Sequence, residues 1–453
     1  MAVVSIVKLS ELEGAKRIDP EFYHPENVIS KKILEKVGTR RIKDCFCSVR
    51  QIFDPQRHVL NDTAFVFNLS DVKSFFLSGG KIALSSDDVG SAKKMFSQND
   101  VLISRLRPYL KEVSFIGFNG KIKLCSTEFI VLRQKNKNYY PEVLFSFLIT
   151  PQVQNILLWS ISGTEHPRFH EDYFLNLKLP NFTPETQNKI KELVNDAWKF
   201  FSNSQSLYSQ AENLLLEELG LKDFMPKYEL SYTANISEAF KAHRIDAEYF
   251  QPAYDTIVEK IIEYSNGHTS LLNFVDSIKP DFDPTKYPDK TFSYVELADV
   301  DESIGIIHSA NEVKGEEAPS RARRVLKQND VIISSVEGSL EKVALVNEEY
   351  EGSLASTGFF QFRAIKILPQ VLLVLSKSIV VQFQLKKECA GTILTAVPTE
   401  SLKRILIPII PDETQQKIAS LVQQSHEARR KAKELLEEAK RKVEEAIENE
   451  IGK

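Results

Sequence analysis

QNDVLIS, at Gln98–Ser104, returns as QNDVIIS, at Gln328–Ser334, 230 residues further along the chain. The two copies differ only at Leu102 and Ile332, and both of these residues are apolar. Other stretches recur in the same order at nearly the same spacing: NLSDV (68–72) as ELADV (296–300), STEFIVLR (126–133) as STGFFQFR (356–363), and PETQNKI (184–190) as DETQQKI (412–418). The chain is therefore an internal duplication of two domain-sized repeats that spans nearly all of its 453 residues.

The net charge limits how such a chain could bind nucleic acid. The composition is that of an ordinary globular protein, with 42% hydrophobic and 26% charged residues, and the formal net charge is −4. A protein that binds DNA through overall basicity would be positive, so any DNA surface has to be a local patch or be completed by partner chains.

The sequence predicts a cytoplasmic protein without a membrane span. MAVVSIV is too short for a signal-peptide core, and the most apolar window, 367–383, is interrupted by Pro369 and Lys377. We interpret that window as one buried helix. The cysteines lack metal-ligand spacing, which indicates reduced core thiols: Cys45, Cys47, Cys125 and Cys389.

In each repeat, short strand-like runs come first and a stretch with helical spacing of apolar residues follows. Short strand-like runs separated by turns fill about 40–135 and their counterpart in the second repeat, and then come an apolar helix and a strand ending in proline, LKLP (177–180) or ILIP (405–408). Helical spacing begins at Pro184 after a Thr183 cap and stops at Gly220. The predicted apolar seams are Ile190, Val194, Ala197, Phe201, Tyr208, Ala211 and Leu215 in the first helix, and Leu421, Ser425, Ala428, Ala432, Leu435, Ala439, Val443 and Ala446 in the second.

These patterns predict an α+β fold. Two strand-rich α/β domains stand in tandem, separated by two long helices that pair as an antiparallel coiled coil, with an internal pseudo-two-fold axis. The first helix would be roughly 54 Å long, about one and a half turns of DNA. The predicted division of the chain is 1–182, 183–227, 228–410 and 411–453.

The duplicated order of elements resembles the specificity subunit of type I restriction–modification enzymes, over essentially the full chain. The resemblance implies that 1–182 and 228–410 are target recognition domains, each reading one half-site of a bipartite double-stranded DNA target. It implies that the helices are spacers that dock two DNA methyltransferase subunits. It also implies a chain without catalysis or cofactors, since S-adenosylmethionine, ATP and Mg²⁺ would be bound by those subunits and by restriction endonuclease or translocase subunits where the system has them. Because the repeats differ outside their shared framework, we expect two different half-sites.

Candidate DNA contacts in the first repeat lie in loops that follow framework strands. Arginine can read guanine and lysine can bind phosphate, and loops vary without damage to a core. A surface that serves only solubility stays the alternative, and the two nearby histidines could instead be metal ligands. The candidates are Arg105, Arg107, Tyr109 and Lys111 in RLRPYLK, His166, Arg168 and His170 in GTEHPRFH, and Arg50 and Arg57.

The second repeat carries fewer basic residues in the equivalent loop. There Glu337 could accept a hydrogen bond from the cytosine amino group. The densest basic cluster of this repeat, RARRVLK, could bind phosphates or form a solvated strand edge. The candidates are Ser335, Glu337 and Lys342 in SVEGSLEK, and Arg321, Arg323, Arg324 and Lys327 in RARRVLK.

No catalytic motif is recognised. The chain has no glycine-rich phosphate loop and no N/D-P-P-Y/F run. Asp281, Asp283 and Glu296 resemble a nuclease carboxylate cluster but lack a well-placed lysine, so a polar turn is the better interpretation. Gly163-Thr164 and Gly391-Thr392 are interpreted as structural turns.

A repeated decapeptide opens each repeat, RIDPEFYHPE at 17–26 and RIDAEYFQPA at 244–253. Its position at each module boundary predicts a joint that seats the domain on the coiled coil, and contact with a partner protein or with DNA stays the alternative. Two other functions remain open from the sequence: a duplicated scaffold that organises proteins without DNA, and a self-contained enzyme.

Overall fold

The computed structural model describes residues 4–10, 12, 17–120, 122–391 and 395–452. The chain divides into two compact units: unit 1 comprises residues 1–201 and 430–453, and unit 2 comprises residues 202–429. The four-part division at 182, 227 and 410 and the pseudo-two-fold axis stay predictions. Within the described ranges, no helix is long and apolar enough to cross a membrane.

Helices surround the sheets of each unit. Two long helices, Pro184–Glu218 and Asp412–Ile451, each contribute residues to both units. The shorter α-helices of unit 1 are Pro25–Val37, Ile42–Cys45, Pro141–Leu148, Pro151–Trp159 and Glu171–Leu175, and those of unit 2 are Ile236–Ala242, Pro252–Ile262, Pro369–Lys377 and Ile379–Glu388.

The strands of unit 1 form two main sheets. The first is antiparallel, in the order Val113–Phe115, Val101–Ser104, Phe129–Gln134, Phe46–Ser48. The second has the order Ile52–Phe53, Lys93–Phe96, Ile122–Cys125, Ala64–Phe67, Lys81–Ala83, and its third and fourth strands are parallel. Small pairs complete the unit: Gly38–Arg41 with Lys178–Pro180, Val72–Lys73 with Phe76–Leu77, and Ile161–Ser162 with Arg168–Phe169.

Unit 2 repeats the core of this topology, with four strands of each sheet in the same order, two further strands in its first sheet and one fewer in its second. Its first sheet has the order Val275–Ser277, Phe359–Ala364, Asp330–Ser334, Val343–Leu345, Ile306–Ile307, Val300–Asp301. Its second has the order Asn311–Lys314, Thr291–Val295, Leu354–Ser356, Ala322–Val325, with the middle pair again parallel. His268–Ser270 pairs with Leu406–Pro408. The equivalent strand order in both units confirms that the duplication seen in the sequence is a duplication of structure.

An ion pair explains why the QND and STxF motifs recur together. It joins the buried aspartate of QND to the arginine four residues after the phenylalanine of STxF. Arg133 donates to the Asp100 carboxylate through Nε at 2.8 Å and Nη2 at 2.7 Å. Arg363 binds Asp330 in the same way, at 2.9 and 3.1 Å. The two aspartates are 1% and 0% exposed. The asparagine before each adopts a left-handed backbone, with φ of +66° and +68°, a conformation that asparagine tolerates.

The glutamine of the ETQ motif joins each long helix to its domain. Gln187 accepts from the Tyr140 amide at 3.3 Å and donates to the Asn138 carbonyl at 3.1 Å. Gln415 accepts from the Leu368 amide at 3.1 Å. Tyr140 and Leu368 are the N-cap residues of equivalent helices, so each glutamine satisfies an amide that no helical carbonyl could reach.

The first long helix follows its predicted seam. Thr183 caps it, accepting from the Thr186 amide at 3.1 Å, and Gly220 follows its end with φ +64°. Every residue of the predicted stripe is buried, from Ile190 to Leu215. In unit 2 the Ser425 hydroxyl donates to the Ser204 carbonyl, and Thr414 donates to Glu218, so the two helices run antiparallel there.

The second long helix buries the residue after the predicted one most deeply at three positions, namely Val422, Leu436 and Ile447. The predicted residues Leu421, Leu435 and Ala446 are partly buried and also pack against the cores. Ser425, Ala428, Ala432, Ala439 and Val443 are buried as predicted. Residues from Ala432 to Ile447 belong to the core of unit 1, so this helix returns to the first unit as the topology predicted.

The apolar window at 367–383 is not one helix. It forms Pro369–Lys377 and part of Ile379–Glu388, broken at Ser378, whose backbone is extended. The Ser378 hydroxyl donates to the Leu375 carbonyl at 2.7 Å, so it satisfies one of the free acceptors at the end of the first helix.

The repeated decapeptide clamps a different element from the one predicted. Arg17 donates to the carbonyls of Ser160 and Ile161 at 2.9 and 2.8 Å, and it pairs with Asp19. In unit 2 Arg244 pairs with Asp246 and donates to the carbonyl of Cys389 at 2.8 Å. Each arginine thus binds backbone carbonyls just after one short helix, Pro151–Trp159 in unit 1 and Ile379–Glu388 in unit 2.

A buried polar junction joins the second long helix to unit 2. Arg429 pairs with Asp301, and His426 donates from Nε2 to the Ile304 carbonyl at 2.9 Å. Burial would raise the pKa of Asp301, but Arg429 and the bonds from Ser303 hold it at about 2. Burial lowers the pKa of His426 to about 4, so this histidine is neutral in the folded protein at pH 7.

We expect Asp100→Asn to lower the free energy of unfolding of unit 1 by about 2 kcal/mol, because charge-assisted bonds to Arg133 are weakened. Both tryptophans, Trp159 and Trp198, lie in unit 1, so tryptophan fluorescence during urea unfolding follows this unit. Asp87→Asn, at an exposed carboxylate of the same unit, is the control. Equal unfolding midpoints for the two variants would contradict the role given to the pair.

His426 should make the stability of unit 2 depend on pH. Its folded pKa of about 4 lies below the ordinary value of 6.5, so the unfolded chain binds the extra proton between those values. The free energy of unfolding should therefore fall as pH drops through this window, by about 2 kcal/mol at most between pH 7 and 5. Hydrogen exchange of unit 2 at both pH values should show a smaller fall in His426→Gln than in the wild-type protein. The same pH dependence in both proteins would count against this assignment.

Candidate nucleic-acid interface

Three loops of unit 1 meet beside the strand Val101–Ser104. The Arg105 amide donates to the Glu128 carbonyl at 3.1 Å, and the Phe169 amide donates to the Arg105 carbonyl at 3.2 Å. The Arg107 amide donates to the Pro167 carbonyl at 2.8 Å. The two candidate loops, 105–111 and 163–170, are therefore adjacent. The turn before Phe129 contacts both of them through Glu128.

Glu128 lies between two of the predicted arginines. Its Oε2 accepts from Arg105 Nε at 3.0 Å and from Arg168 Nε at 3.0 Å, and its Oε1 accepts from Arg168 Nη2 at 2.8 Å. The hydrogen bonds from Arg168, with those from Arg105, hold the pKa of the Glu128 carboxyl below its usual range. The group carries two positive charges and one negative charge and is partly exposed at the surface.

The segment 107–111 projects from this cluster in a strained conformation. Arg107 and Lys111 have φ of +49° and +54°, which is costly for residues other than glycine. Pro108 is buried beneath them, whereas the side chains of Arg107, Tyr109 and Lys111 are exposed. The loop therefore presents two cations and an aromatic ring to solvent.

The remaining candidates of unit 1 fall at different places. Arg50 binds Glu171 at 2.6 Å, beside His170, whose Nε2 is 3.3 Å from the Ser162 hydroxyl. His166 is exposed on the 163–170 loop. Arg57 lies on the turn after Phe53, 3.5 Å from the Asp54 carboxylate.

The equivalent loops of unit 2 also meet, but they lack the arginine–glutamate cluster of unit 1. The Glu337 amide donates to the Thr395 carbonyl at 2.9 Å, and the Val397 amide donates to the Ser335 carbonyl at 2.8 Å. Ser335, Gly358 and Ala396 stand where unit 1 has Arg105, Glu128 and Arg168. Glu337 is exposed at the tip of its loop and could accept a hydrogen bond from a base.

Two candidates of unit 2 are unsuitable as DNA contacts in this conformation. Arg324 is 6% exposed, donates to the Ile278 carbonyl, and has its pKa lowered to about 10 by burial. It faces inward because residues alternate along the strand Ala322–Val325. Lys342 is largely buried, where it pairs with Glu302 and donates to the Val300 carbonyl.

The other cations of the RARRVLK cluster remain accessible in part. Arg321 and Lys327 are exposed. Arg323 pairs with Asp283 at 2.9 Å, which accounts for one carboxylate of the supposed nuclease cluster. Asp283 also caps a short helical turn by accepting from Thr285, so it has the structural role that the sequence favoured.

No metal site is found among the residues that the structure describes: they contain no group of three or more His, Cys, Asp or Glu side chains placed to hold a cation. Gly163 has φ +91° and Gly391 has φ +132°, as expected for turn glycines. Thr392, which was predicted to belong to the second turn, lies outside the described residues.

Sequence reasoning missed Glu128. The signal was present in the repeat itself, where STEF in the first copy matches STGF in the second. A carboxylate in one copy and a glycine in the other marks a position that the shared framework does not need. Its pairing with two arginines could not be foreseen, because Arg168 is 40 residues further along the chain.

Comparisons with known proteins give one partial relative. No family model matches the chain. A stretch of 130 residues is 30% identical to the Type I restriction enzyme HindI specificity subunit of Haemophilus influenzae. The match covers 28% of this chain and 28% of that protein. The resemblance to type I specificity subunits is thus confirmed for this stretch.

Solved structures add weaker likenesses. The HsdS subunit from Thermoanaerobacter tengcongensis is 16% identical, with 90% of this chain and 95% of that chain covered and a TM-score of 0.31. The type I restriction–modification S subunit from M. genitalium is 12% identical, with 90% and 94% covered and a TM-score of 0.38. Scores this low support no conclusion about the fold or function of this chain.

Proposed function

We propose that this chain is the DNA recognition subunit of a type I restriction–modification complex. One observation carries the proposal. The two units share a core strand order and the glutamine contact between each long helix and its domain, while the side chains on their equivalent loops differ. A shared framework with divergent loops suits two recognition heads that read different half-sites of one bipartite, asymmetric target. In this proposal residues 1–182 and 228–410 are the recognition domains.

The charge distribution supports DNA contact through the loops. The chain as a whole carries −4, yet the loops of unit 1 present Arg105, Arg107 and Lys111. Phosphate contacts would position the duplex and base contacts would give specificity. The overall negative charge means that binding at physiological salt should need cationic partners.

The long helices are the proposed docking surfaces for two methyltransferase subunits. Residues 183–227 and 411–453 would act as spacers, and their surfaces are rich in charged pairs such as Lys417–Glu413 and Lys442–Glu445. We propose no catalysis by this chain, and we propose a cytoplasmic location. S-adenosylmethionine, ATP and Mg²⁺ would be bound by methyltransferase and restriction subunits.

The proposal is tested by reconstituting the chain with its host's methyltransferase subunits. We expect sequence-selective duplex binding that weakens steeply with salt, and host DNA that loses one methylation pattern when the gene is deleted. Methylome sequencing would give both the target and the methylated base. A complex that assembles but shows no saturable preference for any duplex would favour a protein scaffold, and activity of the purified chain alone would indicate an enzyme.

Replacing Arg107 and Lys111 together by alanine should weaken binding about equally for every DNA sequence. The slope of log K against log salt should become less steep by about two, because two phosphate contacts are lost. Lys137→Ala with Lys366→Ala, at exposed lysines outside these loops and outside the proposed docking helices, is the charge-matched control. Identical slopes in the two double variants would remove the 107–111 loop from the interface.

A further inference from the structure

We propose that Glu128 and Arg168 form a positioning pair that holds Arg105 ready to read a guanine in the half-site of unit 1. The inference rests on the proposed function and assigns different roles to two arginines that the sequence treats alike. Arg105 is the base-contacting residue, Glu128 orients it, and Arg168 fixes Glu128.

The pattern of hydrogen bonds separates the two arginines. Arg105 uses only Nε on Glu128, and no described residue accepts from its two terminal Nη groups. Arg168 donates to Glu128 through Nε and Nη2 and to the His166 carbonyl through Nη1 at 2.9 Å. All three nitrogens of Arg168 are engaged within the protein, whereas the outer edge of Arg105 is available.

That outer edge matches guanine. A guanidinium is planar, and its two terminal amino groups can donate together to O6 and N7 of guanine in the major groove. Adenine presents an amino group in place of O6, so the same edge discriminates against it. The Arg105 side chain is 39% exposed, enough to reach a ligand while its inner nitrogen stays bound to Glu128.

The backbone is fixed as firmly as the side chain. Arg105 directly follows the strand Val101–Ser104, its amide donates to the Glu128 carbonyl, and its own carbonyl accepts from Phe169. An arginine held in this way loses little conformational freedom when it binds a base. Glu128 also offsets part of the repulsion between the two cations, so both can occupy one small surface.

Unit 2 serves as an internal comparison. Ser335, Gly358 and Ala396 occupy the three equivalent positions and carry no charge. The same backbone therefore forms without the cluster, which means that the fold does not require Glu128. The cluster is present in unit 1 and absent from the equivalent positions of unit 2, as expected of residues that set the specificity of one half-site.

The test uses the full complex with methyltransferase and the target found by methylome sequencing. Binding is measured for that duplex and for duplexes with each base pair replaced in turn. The proteins are the wild type, Arg105→Ala, Glu128→Gln, the double variant, and Asp87→Asn as the carboxylate-to-amide control. We expect Arg105→Ala to reduce discrimination at one G·C pair by roughly 10–100-fold. Glu128→Gln should reduce it at the same pair by a smaller factor, and Asp87→Asn should change nothing.

The double variant separates positioning from a general structural role. If Glu128 acts through Arg105, Glu128→Gln has no further effect on discrimination once Arg105 is alanine. An equal loss in both backgrounds, or a uniform loss over all duplexes, would overturn the proposal. So would unchanged base preference in Glu128→Gln when the wild-type complex discriminates. A wild-type complex without any base preference would instead overturn the proposed function itself.

Discussion

The ion pair between a buried aspartate and a partly exposed arginine organises each unit. Asp100 directly precedes the strand Val101–Ser104 and Arg133 lies near the end of the neighbouring strand Phe129–Gln134, so the pair fixes their register at one end. Asp330 and Arg363 do the same in unit 2. A buried carboxylate is tolerated only when it is paired and hydrogen-bonded, so a strand slipped by one residue would leave a charge without its partner. The loops that follow the opposite ends of these strands are free of this constraint.

On the proposed function, this separation explains how one framework would carry two specificities. The contacts common to both units lie at the QND end of the strands and at the ETQ end of the long helices. The side chains that differ between the units lie on the loops after Ser104 and Ser334. Backbone hydrogen bonds between the loops persist in both units although the side chains change from Arg105 to Ser335. Specificity can therefore change by substitution on a loop whose path is set by main-chain bonds and not by the residues that would contact DNA.

The sequence was sufficient for features set by local pattern or by repetition. The first long helix, its cap and its seam follow from spacing alone, and the repetition of short strand-like runs predicted two similar units. The second long helix shows the limit. In its alanine-rich stretch a stripe shifted by one residue fits the spacing nearly as well, and only the packed partner decides between Leu435 and Leu436. Arg324 and Lys342 were misjudged because the sequence does not show whether a basic side chain is exposed: Arg324 faces inward on its strand, and Lys342, just before the strand Val343–Leu345, pairs with Glu302.

Side-chain contacts between residues far apart in the chain could not be predicted from the sequence. These contacts differ between the two units. In unit 1 the junction of the long helices with the domain is aromatic: Trp198 packs on Phe76 with ring centres 5.3 Å apart. At the matching positions of unit 2, His426 donates to the carbonyl of Ile304. At these equivalent positions unit 1 has an apolar ring contact, whereas unit 2 has a buried hydrogen bond beside the Arg429–Asp301 ion pair. Unit 1 thus carries arginines on its loops and has an aromatic junction, whereas unit 2 has exposed glutamates on its loop and a buried ion pair at its junction. Since the core strand order is the same in both units, the side chains at these two places differ without a change of fold.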